Sequence, residues 1–196
     1  MSVLPIYLYG SEILRKKAKP VHELDDSVIK LIYDMAETMH KANGIGLAAN
    51  QVGYLRRVIV VDVSAIEESQ REESGEEQVE RERGTKTLAM INPQLVEQSG
   101  SWSMEEGCLS IPDVRADVTR SERISVRFRD VNFREIEMTF DGLLGRVVLH
   151  EMDHLDGVLF TDHVSTAKRA LLRSELRKIK KGEVETSYPV VSAVEV

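Results

Sequence analysis

The pentapeptide His150-Glu151-Met152-Asp153-His154 sets two imidazoles four residues apart with a carboxylate beside the first. On a helix, residues four apart share a face, so both rings can bind one metal ion while Glu151 moves a proton next to it. Two ligands are too few, because a catalytic divalent ion is held by three protein ligands with one position left open. The run continues through Leu155 to Gly157 as a metzincin motif would, but Phe160 stands where that motif needs its third histidine, and the metzincin reading fails. Glu175, 21 residues beyond His154, has the spacing of a thermolysin-like glutamate. Cys108, the single cysteine, lies in Glu106-Gly107-Cys108-Leu109-Ser110. Its thiolate is a strong ligand for borderline metals, and the flanking glycine lets the backbone bring the sulfur in without a clash. On spacing alone, Glu175 and Cys108 both remain.

These residues need a frame. Leu143 and Val147 continue the His150/His154 spacing backwards, which predicts a helix from Gly142 to about Asp156 with this face buried. Val28, Leu31, Ile32, Met35 and Met39 predict an amphipathic core helix capped by Asp25, Asp26 or Ser27 and stopped at Asn43-Gly44. The glycine- and alanine-rich segment 44–53 allows close backbone approach. Strands are predicted at Arg57–Val63, Thr87–Ile91, Ile124–Arg129 and Glu135–Phe140, the last two as a hairpin around Asn132. A further helix is predicted from about Ser165 to Lys181. Strands grouped between helices point to an α+β fold, with mixed or antiparallel sheets around the central HExxH helix and helices toward both ends.

With 196 residues, one catalytic domain is expected. A lone cysteine excludes a disulfide scaffold and fits a reducing, cytoplasmic compartment. No apolar run approaches the roughly 18 residues of a membrane span, so no membrane partner is expected. The net charge of −7 argues against a general DNA-binding protein. Residues 65–84 hold eight Glu and three Arg and read as an exposed insertion with nothing to bury.

Three segments together carry a resemblance. GIGLAANQ at 44–51, EGCLS at 106–110 and HEMDH at 150–154 occur in the order of the bacterial-type, metal-dependent peptide deformylases, which the chain strongly resembles. The resemblance implies hydrolytic removal of the formyl group from the N-terminal formyl-methionine of newly made polypeptides, with release of formate. It implies an ion held by Cys108, His150 and His154 with water as fourth ligand, and it displaces Glu175. Fe(II) is the expected native ion; Zn(II), Ni(II) and Co(II) suit the same donors. A closed structural site is disfavoured, since such sites generally have four protein ligands.

Under the same resemblance Glu151 is the proton carrier, and Gln51 and the Leu109 N–H are donors to the oxyanion. A pocket for the methionine side chain is expected from Ile45, Leu143 and Val147. Gly44 and Gly46 would offer backbone to an extended peptide, with Glu106, Gly107 and Arg115 along its path. Arg146 departs from the family pattern, in which an apolar residue is common there, and would place a cation near the pocket mouth. His22, His40 and His163 read as ordinary surface or satisfied histidines. The catalytic domain is expected over 1–181, with 182–196 a C-terminal tail. Seven Lys or Arg against one acidic residue in 165–181 read either as a solvated basic face or as a helix that docks on the ribosome.

Overall fold

The computed structural model describes residues 2–64 and 86–193, so the Glu-rich insertion expected at 65–84 lies outside the described residues. In chain order the elements are β1 (Ile6–Tyr7), α1 (Asp26–Lys41), β2 (Gly46–Ala48), β3 (Val58–Asp62), β4 (Thr87–Ser99), β5 (Trp102–Cys108) and β6 (Ile111–Arg120). There follow β7 (Arg123–Arg129), β8 (Glu135–Asp141), α2 (Gly142–Leu155), α3 (Thr166–Leu171), α4 (Arg173–Lys180) and β9 (Val190–Val191).

Five strands form one antiparallel sheet in the order β2-β3-β4-β7-β8, β5 pairs with β6 as a separate hairpin, and β1 pairs in parallel with β9. Every residue of β3 is buried. Its continuous apolar run fits a strand covered on both faces, where alternation has nothing to distinguish. Val58 and Val60 pack with Val28, Leu31, Met35 and Met39 of α1. Ile59 and Val61 pack with Val148, Met152 and Leu155 of α2 on the opposite face. Each such aliphatic side chain contributes about 1.5–3 kcal/mol by leaving water, which fastens both helices to the sheet.

Helix α1 starts where the Asp25 carboxylate accepts from the Val28 N–H at 2.8 Å, as expected of a capping aspartate. It ends where Asn43 takes φ +53°, a left-handed stop that redirects the chain into β2. A third cluster joins Ile111, Val114, Ala116 and Val118 of β6 to Phe160, Leu176 and Ile179.

Two differences from the sequence reading concern the second half of the chain. The β5–β6 hairpin over Trp102–Arg120 was not expected, because its inward rows include ionisable Glu106 and Arg120 in place of apolar residues. The helix expected over 165–181 is two helices that meet at Leu172. Helix α3 buries no residue, whereas α4 buries Leu176 and Ile179, so packing fixes only the second. After α4 the chain folds back: the N–H groups of Ile6 and Leu8 donate to Pro189 O and Val191 O at 2.9 and 2.8 Å. No helix among the described residues is long and apolar enough to cross a membrane.

Candidate active site

Helix α2 carries His150, Glu151 and His154 between the sheet and the β5–β6 hairpin, whose turn carries Cys108. The ligand atoms of Cys108, His150 and His154 lie within 4.8 Å of one another, the one such group among the described residues. Cys108 Sγ is 3.2 Å from His154 Nε2. Glu175 is exposed on α4 and belongs to no such group. His163, read as satisfied, bonds Asp153 at 2.7 Å, and His40 pairs with Asp62 at 3.1 Å.

One thiolate and two imidazoles, without a fourth protein ligand, are the donor set of an open site for a divalent ion. The electrostatics agree. Burial alone would disfavour protonated His150, but the Cys108 sulfur and the Glu106 carboxylate push its pKa up to about 10. A cluster that draws a proton so strongly suits a cation. His154 is held well below its ordinary value by burial and then by the charge of His150.

A buried ion network fixes His150 from behind. Its Nδ1 meets Glu106 Oε2 at 3.0 Å, which leaves Nε2 for the centre. Arg120 holds both Glu106 oxygens, with Nε–Oε1 at 2.6 Å and Nη2–Oε2 at 3.0 Å, and reaches Asp153 at 2.8 Å with Nη1. Burial would raise the Glu106 carboxyl, yet the bonds from His150 and Arg120 outweigh it and hold the pKa at about 2. Two expectations change here. Glu106, expected along the substrate path, turns its carboxylate inward, because three partners compete for it. Arg146, expected as a cation at the pocket mouth, is only 2% exposed. It donates to Glu106 Oε1 at 2.5 Å and to the carbonyls of Val118 and Trp102 at 3.0 and 2.9 Å.

Glu151 has the opposite environment. Burial raises its carboxyl to about 7, and Oε2 has no hydrogen-bond partner. It fits beside β2 because residue 46 is glycine: a Cβ there would come within 2.5 Å of Glu151 Oε1 and 2.8 Å of Val147 Cγ1. A buried, unpartnered carboxylate oxygen is a group that a third molecule can use.

Gln51 is oriented at both ends of its amide. Its Oε1 accepts from the Ala48 N–H at 2.8 Å, which turns Nε2 toward Cys108 Sγ at 3.5 Å and Ser110 Oγ at 3.2 Å. Together with Leu109, the residues Gly44, Ile45, Gly46, Glu106, Gly107, Leu143, Val147 and Arg115 line one cleft of about 660 Å³ that opens over Cys108 and His150.

Sequence reasoning missed Arg120, Asn50 and Tyr188. Arg120 had a signal, since Val114, Ala116 and Val118 alternate inward along β6 and Arg120 continues the row. Fully buried Asn50 donates to the His154 carbonyl and ties the 49–52 turn to α2. Tyr188 belongs to the chain that returns after α4.

Comparison with known proteins agrees with this geometry. Residues 3–170 match the family model described as polypeptide deformylase. The peptide deformylase of Salinibacter ruber is 49% identical over 191 residues, covering 97% of this chain and 95% of that protein. That of Chlorobium phaeobacteroides is 46% identical over 188 residues, covering 96% and 95%. Among solved structures, a peptide deformylase from Legionella pneumophila superposes with TM-score 0.79 at 35% identity, covering 93% of this chain and 98% of that one. The Ehrlichia chaffeensis enzyme in complex with actinonin gives 0.78 at 35% identity, covering 94% and 100%.

Proposed function

The chain belongs to the polypeptide deformylase family, and from that premise we propose how its residues divide the work. It is a metal-dependent hydrolase that removes the N-formyl group from the N-terminal formyl-methionine of newly synthesised polypeptides and releases formate. The observation that carries the assignment of roles is the cluster of half-buried Cys108 with buried His150 and His154, and the unpartnered Glu151 carboxylate beside it.

Cys108, His150 and His154 would hold the ion, which would supply Lewis acidity to a water molecule and to the formyl carbonyl. Glu106, through His150 Nδ1, sets the ring's tautomer and direction. Glu151 accepts the proton of the attacking water and passes it to the amine as the C–N bond breaks, leaving formate and a free N-terminus. A carboxyl near 7 suits both halves of that exchange at neutral pH. Gln51 Nε2 and the Leu109 N–H stabilise the negative oxygen that develops in between.

Substrate lies along β2, which is an edge strand of the sheet. Asp62 N–H bonds Ile45 O at 3.0 Å, so antiparallel alternation turns the backbone groups of Gly46 to the free side. An extended peptide adds there as a strand, with its methionine side chain among Ile45, Leu143 and Val147 and its main chain passing Arg115. The mixed thiolate and imidazole donors accept Fe(II), Zn(II), Ni(II) or Co(II), and we favour Fe(II) as the native ion. The catalytic domain runs past residue 181, where a tail was expected, because β9 pairs with β1 and Tyr188 reaches the Leu109 carbonyl. The site of action is the cytoplasm, where the exposed basic face of α4 gives the enzyme a hold on the ribosome.

The test is anaerobic metal analysis paired with formate release from formyl-Met-Ala-Ser. Cys108→Ala should lose stoichiometric metal and activity together, while Glu175→Ala keeps both. The reverse pattern would move the chain to a glutamate-ligated peptidase chemistry.

A further inference from the structure

The chain that follows α4 returns to the cleft and touches the one loop whose backbone takes part in the proposed chemistry. Residues Glu185, Thr186, Ser187 and Tyr188 form part of the cleft wall. The Tyr188 hydroxyl donates to the Leu109 carbonyl at 2.8 Å. Two residues earlier the Thr186 hydroxyl donates to Tyr188 O at 2.7 Å and stiffens the approach. Two residues later the chain enters β9, which pairs with β1. Just beyond β1, Tyr9 N–H donates to Ser110 O at 2.8 Å. Both carbonyls of the 109–110 turn are therefore held from the side where the chain ends meet.

Leu109 is gripped by its side chain as well. It packs with Tyr188 against the α1 core, and a Cβ at Gly44 would come within 2.7 Å of Leu109 Cδ1. Its N–H donates to no group of the described residues. Peptide planes are rigid, so only the two dihedrals of Leu109 separate the Cys108–Leu109 plane, which carries this N–H, from the Leu109–Ser110 plane held by Tyr188. With Leu109 O held by Tyr188, an ion at Cys108 would hold the other plane and narrow the directions open to the N–H.

We infer that Tyr188 is a positioning residue: its hydroxyl fixes the turn so that the Leu109 N–H is aimed at the oxyanion before substrate arrives. The inference rests on the reading of Leu109 as an oxyanion donor. Burial, and after it the charges of Cys108 and Asp113, push the Tyr188 hydroxyl up to about 12, so at neutral pH it keeps the proton that it donates. Preorganised donors need no rearrangement during reaction, so a loosened donor lowers turnover more than substrate binding.

Tyr188→Phe keeps the ring and deletes the bond. With metal-loaded enzyme and formyl-Met-Ala-Ser, kcat should fall about tenfold, short of the ~10²–10³ for losing an oxyanion donor outright. KM should stay within about twofold, since ground-state contacts are untouched. Metal content should remain one per chain, and amide exchange across 108–111 should quicken. Thr186→Val, which frees only the approach to Tyr188, should give a smaller effect in the same direction. Unchanged kcat with unchanged exchange would overturn the role of Tyr188. Unchanged kcat with faster exchange would instead strike the reading of Leu109 beneath it. A fall in kcat with unchanged exchange would overturn positioning through the turn.

Discussion

Helices α2 and α4 are both amphipathic, yet their polar residues meet different surroundings. On α2, Arg146, His150, Glu151 and His154 are each at most 8% exposed. On α4, Arg173, Arg177 and Lys180 are exposed, and none is paired among the described residues. Buried ionisable groups persist only with partners, and the β5–β6 hairpin supplies them: Glu106 engages Arg120, Arg146 and His150 together. Glu151 is the exception: Arg146 and His154 each have one unpartnered nitrogen but are bonded through another, whereas Glu151 Oε2 is unpartnered and its side chain makes no hydrogen bond among the described residues. Polarity inside the molecule thus marks either a fixed scaffold or a group left for substrate, whereas polarity on α4 faces outward.

The largest effect should come from the exception. Glu151→Gln preserves shape but removes the base, so metal content should stay near one per chain while kcat falls by about 10²–10⁴. Stopped-assay formate release on metal-replete protein decides this, and near-normal turnover would place Glu151 with the scaffold.

Next comes the scaffold itself. Glu106→Gln leaves His150 without its anionic partner, and metal affinity should weaken about 10–100-fold, as read by competition with a chelator. The same carboxylate links stability to pH. Its pKa is lowered from 4.5 to about 2 in the folded protein, so the unfolded chain binds the proton more readily. The stabilisation is therefore complete above pH 4.5 and is lost as pH falls from there toward 2, amounting to about 3 kcal/mol by linkage. Urea midpoints of wild type and Glu106→Gln should differ most near pH 6, and the gap should narrow steadily below pH 4.5 and close only toward pH 2. A gap that is constant with pH would mean that the glutamate acts through shape alone.

Local periodicity reaches part of this. Helices α1 and α2 and strand β3 were legible because their apolar spacing repeats over consecutive turns or residues, and the HExxH spacing follows from helix geometry alone. Two features escaped because their causes lie far along the chain. Arg146 belongs inside only because Glu106 is there, 40 residues away. Tyr188 acts on Leu109 across 79 residues, from a segment that by composition reads as a tail. Hairpin β5–β6 was hidden by the feature that gives it its role, since charged residues occupy part of its inward rows. The three short segments were legible as a set only through family resemblance; by composition Gln51 reads as a loop residue.

The smallest effect on chemistry, and the sharpest contrast, belongs to α4. Leu176 and Ile179 fasten it to β6, and its outward face presents Arg173, Arg177 and Lys180, with Lys181 just beyond. Reversing those four charges to Glu removes no buried contact, and surface changes of this kind shift stability little. Formate release from free formyl-Met-Ala-Ser should stay within about twofold of wild type. A polyanionic partner would feel the change strongly, because each cation placed on a phosphate releases a counterion and the binding falls steeply with salt. Co-sedimentation with ribosomes across a salt series should therefore show wild type bound at low salt and released as salt rises, with the reversed protein unbound throughout. If both proteins sediment alike at low salt, the basic face is only a solvated surface, and α4 serves the enzyme as packing alone.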